Sequence, residues 1–256
     1  MGVLNVTPDS FSDGGRFQSL DSALAQAKKL VADGADIIDV GAESTRPGAT
    51  PVPLEEEWRR LEPLLAPLLN EVAAPFSIDT YKAEIARRAV ALGVSVVNDV
   101  WGLQRDPAMA DVAAESGAAV VIMHNRASVD PDLDIEADLK RFFERSLKLA
   151  DCAGISRARI LLDPGIGFGK SKAQNLKALA AIGLLRAAFG LPILVGVSRK
   201  RLMSEPSGAA GVDTNLIGTV AANLAALARG AAVFRVHDAA EHAAAFKVWE
   251  AIGRAG

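Results

Sequence analysis

Polar side chains stand at the ends of short apolar segments along this 256-residue chain. The most informative are Asp79, Asn98 and Asp163, each of which ends a run rich in apolar residues. Such polar residues often serve only as helix caps, as we expect of Asp106 before Pro107. A strand that merely fills a core has no use for a terminal carboxylate, however, and the carboxyl ends of barrel strands converge. We therefore predict that Asp79, Asn98 and Asp163 share one site.

The chemistry that these side chains support is the binding of a flat nitrogen heterocycle. A carboxylate accepts paired N–H bonds from a guanidine-like ring fragment, and an asparagine both donates and accepts. Positive charge is added by Arg199 and Lys200 after one apolar segment and by Arg235 and His237 after the last. The sequence Thr45-Arg46-Pro47-Gly48 adds a hydroxyl and a guanidinium on a loop stiffened by proline. These residues predict a site that is polar at its base and cationic at its rim, suited to a heterocycle carrying phosphate or pyrophosphate.

Eight apolar segments are predicted to be the strands that position this site. Their near-continuous apolar character is typical of parallel strands buried on both faces. They span residues 2–6, 37–40, 76–79, 94–99, 119–123, 160–163, 193–197 and 232–236.

The order of these elements predicts an α/β barrel. Strands that alternate with helical stretches form βαβ units, and eight such units make a (β/α)₈ barrel of about 250 residues. The rival fold, an open doubly wound sheet, usually has a glycine-rich turn after its first strand, whereas residues 7–11 read Thr-Pro-Asp-Ser-Phe. Two small domains remain possible on length alone. We predict a single TIM-barrel domain spanning residues 1–256.

The helical stretches carry apolar residues at helical spacing. In the segment 54–72, Trp58 and Leu61 begin such a stripe, but Pro63 and Pro67 are expected to bend or interrupt the helix.

Composition limits the classes of function. The net charge is −3 with acids and bases interspersed, which argues against a general nucleic-acid binder. The single cysteine, Cys152, excludes an intrachain disulfide and is typical of a reducing cytoplasm. No apolar run reaches the roughly 18 residues of a membrane span. We therefore expect a cytoplasmic enzyme acting on small molecules, without nucleic-acid or membrane partners.

The loop motifs are specific enough to indicate a family. They are the first strand and loop at 1–15, Asp39 to Gly48, Asp163 to Lys170, Ser198-Arg199-Lys200, and Arg235-Val236-His237-Asp238. On these motifs, which span essentially the whole chain, the sequence resembles the dihydropteroate synthase family, the sulfonamide targets of folate biosynthesis. The resemblance implies a Mg²⁺-dependent transferase that condenses p-aminobenzoate with 7,8-dihydropterin-6-ylmethyl diphosphate. The products would be 7,8-dihydropteroate and pyrophosphate, released by dissociative displacement. A homodimer is also implied.

The resemblance also implies a role for each site residue. The pterin would be held by Asp79, Asn98, Asp163 and Lys200, of which Asp79, Asp163 and Lys200 would also be catalytic. Met123 either lines the pterin pocket or belongs to the core. Pyrophosphate would be bound by Asn5, Arg235 and His237, with Asn5 also a ligand of Mg²⁺. The p-aminobenzoate pocket would be formed by Phe11, Thr45, Arg46, Pro47, Phe168 and Ser198, with Arg199 a further candidate.

Two alternatives stay open at this stage. A methyltransferase domain that binds methyltetrahydrofolate would share Asp79, Asn98 and Asp163 but would need neither the Thr45-Arg46-Pro47-Gly48 loop nor a phosphate site at Arg235. The other is a catalytically silent paralogue that binds a pterin and acts as a partner or regulator, against which the presence of every strand-end polar residue argues.

Overall fold

The computed structural model describes residues 1–6, 16–43, 50–200 and 214–255, in which short strands alternate with helices. The strands are β1 Gly2–Asn5, β2 Ile38–Gly41, β3 Phe76–Asp79, β4 Val96–Asp99, β5 Ala119–Met123, β6 Ile160–Asp163, β7 Leu194–Val195 and β8 Val233–Phe234. The helices are α1 Arg16–Ala32, α2 Leu54–Glu71, α3 Ala83–Leu92, α4 Met109–Ser116, α5 Ile135–Ala153, α6 Lys172–Ala180, α7 Ile182–Phe189, α8 Thr214–Leu227 and α9 Ala239–Ala255. All eight predicted strands are confirmed, with ends that shift by at most two residues.

The strands follow one another in chain order around a ring. Strands β1 to β6 form one parallel sheet, and β7 pairs in parallel with β8. A parallel bridge between Leu162 and Ile193 joins β6 to the β7 strand, and another between Gly2 and Val236 joins the β8 end to β1. The backbone N–H of Val236 also donates to Met1 O at 2.9 Å. These contacts close the parallel barrel that the sequence predicts.

The two faces of each strand have different neighbours. Outward-facing side chains pack against the helices in a large core that includes Ile38, Ile78 and Val97. Alternate residues face inward, where Val96 and Val121 belong to a small separate apolar cluster. Because side chains alternate with a period of two, the residues two positions further along these strands also face inward. This period places the polar strand ends inside one mouth of the barrel.

Two prolines do not interrupt the second helix as the sequence suggested. Helix α2 runs from Leu54 to Glu71 with Pro63 and Pro67 inside it. Pro63 is exposed and Pro67 is only half-buried. A proline on the solvent side of a helix is tolerated at lower cost, because a carbonyl that loses its helical donor is able to bond water there.

Within the described ranges, no helix combines the length and the apolar character needed to cross a membrane.

Candidate active site

Five predicted site residues lie on the inward face where their strands end. Asp79, Asn98, Met123 and Asp163 are the third or last residues of β3, β4, β5 and β6, and all four are buried. Arg235 follows β8 directly, and its side chain is 22% exposed. The structure therefore brings the three polar residues of the original prediction to one mouth. Asp79 pairs in register with Asn98, and Met123 with Asp163.

An ion-pair network crosses this mouth from one side of the barrel to the other. Arg235 Nε donates to Asp39 Oδ2 at 2.6 Å, and Arg235 Nη2 donates to Asp79 Oδ2 at 2.7 Å. Asn98 Nδ2 donates to the same oxygen of Asp39 at 3.3 Å. One guanidinium thus serves two buried carboxylates, whose Oδ1 atoms have no hydrogen-bond partner among the described residues. These two oxygens remain as acceptors for a ligand with N–H donors.

Burial changes the protonation equilibria of the two predicted carboxylates. Removal from water raises the pKa of Asp79, Arg235 opposes this shift, and the neighbouring charge of Asp39 adds to it. The pKa of Asp163 is also raised by burial, while the backbone N–H of Gly165 and the charge of Lys200 oppose the shift. Both carboxylates are therefore more costly to ionise than exposed ones, and a cationic ligand would stabilise their charged forms.

Lys200 is the cation that faces Asp163. Its ammonium donates to the carbonyl oxygen of Ile166 and lies 4.7 Å from the ring centre of Phe168. Burial lowers the pKa of Lys200 to about 8, and the charge of Asp163 opposes this shift. A half-buried lysine with this pKa is mostly protonated at neutral pH and able to donate to a carbonyl oxygen of a ligand.

The loop after β6 requires glycine at two positions to pass this close to Lys200. Gly165 has a φ of 64°, and a Cβ there would lie 1.8 Å from the carbonyl oxygen of His124. Gly167 has a φ of 87°, and a Cβ there would contact the Lys200 stem at 3.1 Å. Lys170 is itself buried and donates to the carbonyl of Gly165 at 2.7 Å, which holds the loop against the barrel.

Comparison with known proteins identifies the family to which this geometry belongs. Residues 1–237 match the family of pterin binding enzymes. The chain is 42% identical to the dihydropteroate synthase of Bacillus subtilis (strain 168), over 98% of this chain and 87% of that protein. This chain belongs to the dihydropteroate synthase family.

Solved structures of dihydropteroate synthases have the same fold. The enzyme of Clostridium difficile, in the presence of pteroic acid, superimposes with a TM-score of 0.93 and 46% identity, covering 98% of this chain and 95% of that one. The enzyme of Xanthomonas albilineans, with 4-aminobenzoic acid, gives a TM-score of 0.92 and 44% identity, covering 99% and 92%. The predicted family and TIM-barrel fold are thus confirmed.

The turn after β7 gives the neighbouring motif residues Arg199 and Lys200 different partners. Arg199 takes a left-handed conformation with a φ of 57° and pairs with Asp238 at 2.5 Å. It is exposed, whereas the residue after it, Lys200, points into the mouth. Ser198 Oγ accepts the backbone N–H of His237 at 3.1 Å and lies 3.0 Å from its ring Nδ1. Ser198 and His237 therefore contact each other, while Arg199 pairs with the residue that follows His237.

The predicted metal ligand, Asn5, ends β1 and is exposed at the mouth. Among the residues that the structure describes, no three His, Cys, Asp or Glu side chains come together as a metal site. Mg²⁺ keeps much of its hydration and is often held by substrate phosphates and one or two protein oxygens. A single amide oxygen fits a metal that arrives with pyrophosphate rather than one that resides in the protein.

Four of the predicted p-aminobenzoate contacts lie outside the described residues, namely Phe11, Thr45, Arg46 and Pro47. Of the rest of that predicted pocket, Phe168 is half-buried beside Lys200, and Ser198 is buried. The roles assigned to individual residues by resemblance stay predictions.

Sequence reasoning gave no role to two charged side chains near the site. Asp39 was named only as the start of a family motif, yet it is fully buried and binds Arg235. The sequence pattern could have revealed Asp39, because a carboxylate between Ile38 and Val40 in an apolar strand must either face a barrel interior or disrupt a core. Lys82 pairs with both Glu43 and Glu57 next to the second loop, and no local pattern predicts that cluster.

Proposed function

We propose that this protein catalyses the dihydropteroate synthase reaction of folate biosynthesis, a group transfer between two small molecules. Its substrates would be p-aminobenzoate and 7,8-dihydropterin-6-ylmethyl diphosphate. The observation that carries the proposal is the convergence of Asp79, Asn98, Asp163 and Lys200 at one mouth of the barrel, in a chain of this family. The solved relatives support it, since the Xanthomonas albilineans enzyme was solved with 4-aminobenzoic acid.

The pterin ring would be held by hydrogen bonds between its own donors and acceptors and the polar side chains of the mouth. Its amino and N–H edge would donate to the carboxylates of Asp79 and Asp163, and Asn98 would both donate and accept. Lys200 would donate to the ring carbonyl. The raised pKa values of both carboxylates suit this role, because each gains most from a ligand that presents N–H donors or positive charge.

The bond that breaks is the one between the pterin methylene carbon and the diphosphate oxygen, and the electron pair leaves with pyrophosphate. Arg235 and His237 would stabilise the departing negative charge, and Mg²⁺ bound through the phosphates and Asn5 would supply further neutralisation. The positive charge left on the conjugated methylene would be stabilised by Asp79 and Asp163. The amine of p-aminobenzoate would then form the new C–N bond and lose a proton, without a protein nucleophile.

The direct test is to incubate the purified protein with Mg²⁺, p-aminobenzoate and dihydropterin pyrophosphate, and to measure 7,8-dihydropteroate by chromatography. We expect Mg²⁺-dependent product that a sulfonamide suppresses in competition with p-aminobenzoate. Binding of dihydropterin pyrophosphate without product would contradict the proposal and indicate a catalytically silent paralogue.

Removal of the metal is expected to abolish turnover without affecting the fold. Chelation by EDTA should lower the rate by about 100-fold or more, because each uncompensated charge on the leaving group raises the barrier by several kcal/mol. The melting temperature of the unliganded protein should not change, since no metal cluster is formed by its described residues. Turnover and thermal unfolding, measured with EDTA and after adding Mg²⁺ back, check both parts. A lower melting temperature in EDTA would point to a resident metal instead.

A homodimer through helices α8 and α9 is also proposed. Four large apolar side chains of these adjacent helices are 42% to 69% exposed, namely Ile217, Val248, Trp249 and Ile252. Such exposure is typical of an interaction surface. We expect the wild type to be a dimer by light scattering and Ile252→Glu to be a monomer, whereas Val129→Glu, on an exposed apolar residue of the loop after β5, should leave the dimer intact. A dimeric Ile252→Glu variant would place the interface elsewhere.

A cytoplasmic location stays a prediction, supported by the single cysteine.

A further inference from the structure

We propose that Asp39 is a positioning residue that holds Arg235 in the barrel mouth while Asp79 exchanges Arg235 for the pterin. The inference rests on the proposed function, because it concerns how the same site takes up its first substrate. Nothing in the motif resemblance gives Asp39 a role.

The contacts of Asp39 are those of a clamp across the barrel. Its Oδ2 atom accepts Arg235 Nε at 2.6 Å and Asn98 Nδ2 at 3.3 Å, so that β2, β4 and the end of β8 meet at one oxygen atom. Asp39 is fully buried, whereas Arg235 retains 22% exposure at the mouth. The fixed partner is therefore the carboxylate, and the guanidinium is the part that reaches toward the ligand.

Asp79 has one oxygen that is open to a ligand and one that Arg235 already occupies. In the unliganded protein its Oδ2 accepts Arg235 Nη2 at 2.7 Å, while its buried Oδ1 lacks a partner among the described residues. A pterin that presents paired N–H donors would engage both oxygens of Asp79, so one of those donors would compete with Arg235 Nη2 for Oδ2. Withdrawing Asp79 from a partly buried guanidinium that had no other anion would leave an unpaired charge, which is unfavourable.

Asp39 removes that obstacle because it binds a different nitrogen atom of the same guanidinium. The Nε pair with Asp39 is able to persist while the Nη2 pair with Asp79 breaks. Arg235 then stays neutralised and in place for the pyrophosphate group. A buried ion pair of this kind adds little to stability compared with apolar residues, so its presence in a barrel interior fits a role in ligand exchange.

The test is to replace Asp39 with asparagine and measure the binding of two probes by calorimetry. The probes are inorganic pyrophosphate and 6-hydroxymethyl-7,8-dihydropterin, which has the ring but no phosphate. When residue 39 is neutral, Arg235 has only Asp79 as its anion. Arg235 should then bind the Asp79 carboxylate more tightly and compete more strongly with the pterin for it. We expect dihydropterin to bind about tenfold more weakly and pyrophosphate about tenfold more tightly, because the site has gained one unit of positive charge.

The opposite signs of the two shifts separate positioning from structural damage. If Asp39 had only a structural role, both probes would bind more weakly in the variant. If it had no role, neither affinity would change. Either outcome, in a variant with wild-type circular dichroism, would overturn the proposal. Ser77→Ala is the matched control, since Ser77 pairs in register with Asp39 and is equally buried, with no side-chain partner among the described residues. Both affinities should be unchanged in it.

The experiment also distinguishes this inference from the proposed function. Probe binding needs no turnover, so a wild-type protein that binds both probes but makes no dihydropteroate would fail the proposed function while still testing Asp39. If Asp39→Asn does not fold, Asp39→Ser removes the same charge with a smaller side chain, and the same opposite shifts are expected.

Discussion

Replacing Asp79 with asparagine is expected to lower kcat/KM for dihydropterin pyrophosphate by about 1,000-fold, or about 4 kcal/mol of transition-state stabilisation. Two losses combine in this variant. An amide accepts N–H bonds less strongly than a carboxylate, and it carries no charge to stabilise the positive methylene as pyrophosphate leaves. Steady-state kinetics with saturating p-aminobenzoate and Mg²⁺ measure the effect.

The fold of Asp79→Asn should be retained, because Arg235 keeps its pair with Asp39 and one buried carboxylate charge is removed. Asp111→Asn, the same change on an exposed position of α4, is the control and should have wild-type kinetics. A kcat/KM within threefold of the wild type in Asp79→Asn would contradict the assignment of the pterin site to this mouth.

The ionisation of Asp79 also determines the low-pH limb of the activity profile. A carboxylate whose pKa is raised above its ordinary value of about 4 must lose its proton before it accepts the pterin. The kcat/KM of the wild type should therefore begin to fall, as pH is lowered, at a pH well above 4. In Asp79→Asn the contribution of this group to the fall should be absent.

Removing the charge of Lys200 is the second large change, and Lys200→Met is expected to lower kcat/KM by about 100- to 1,000-fold. The methionine keeps an apolar stem beside Gly167 and Phe168 but donates no hydrogen bond to the pterin carbonyl. It also leaves the buried charge of Asp163 without its facing cation. The KM for dihydropterin pyrophosphate should rise, which kinetics at varied pterin concentration will measure.

The pH dependence gives Lys200 a signature that a packing defect lacks. Burial lowers its pKa to about 8, so the protonated, donating form decreases as pH rises above 8. Because kcat/KM reports the free enzyme, it should fall about tenfold per pH unit beyond that point in the wild type. This alkaline fall should be missing in Lys200→Met and present in Lys148→Met, an exposed lysine of α5. An unchanged alkaline limb in Lys200→Met would assign that titration to another group.

The sequence alone was sufficient for the barrel and for the polar residues Asp79, Asn98 and Asp163 at the ends of its strands. Eight apolar segments are visible because parallel strands buried on both faces need nearly continuous apolar residues. Asp79, Asn98 and Asp163 are visible because a polar residue that ends such a segment has no role in a core. Both signals are local, so they can be read without knowing which strands are neighbours. In the same way, the motifs of the loops indicated the family.

Only the tertiary structure decided which charges pair and what their pKa values become. Asp39 and Arg235 are separated by 196 positions in the chain and meet at 2.6 Å only because the ring of strands closes. The lowered pKa of Lys200 likewise follows from burial in a mouth that residues from distant strands enclose. Desolvation and ion pairing depend on every neighbour in space, and a sequence pattern reports only neighbours along the chain. The residues of the site were therefore readable in advance, but the network in which Asp39 holds Arg235 was not.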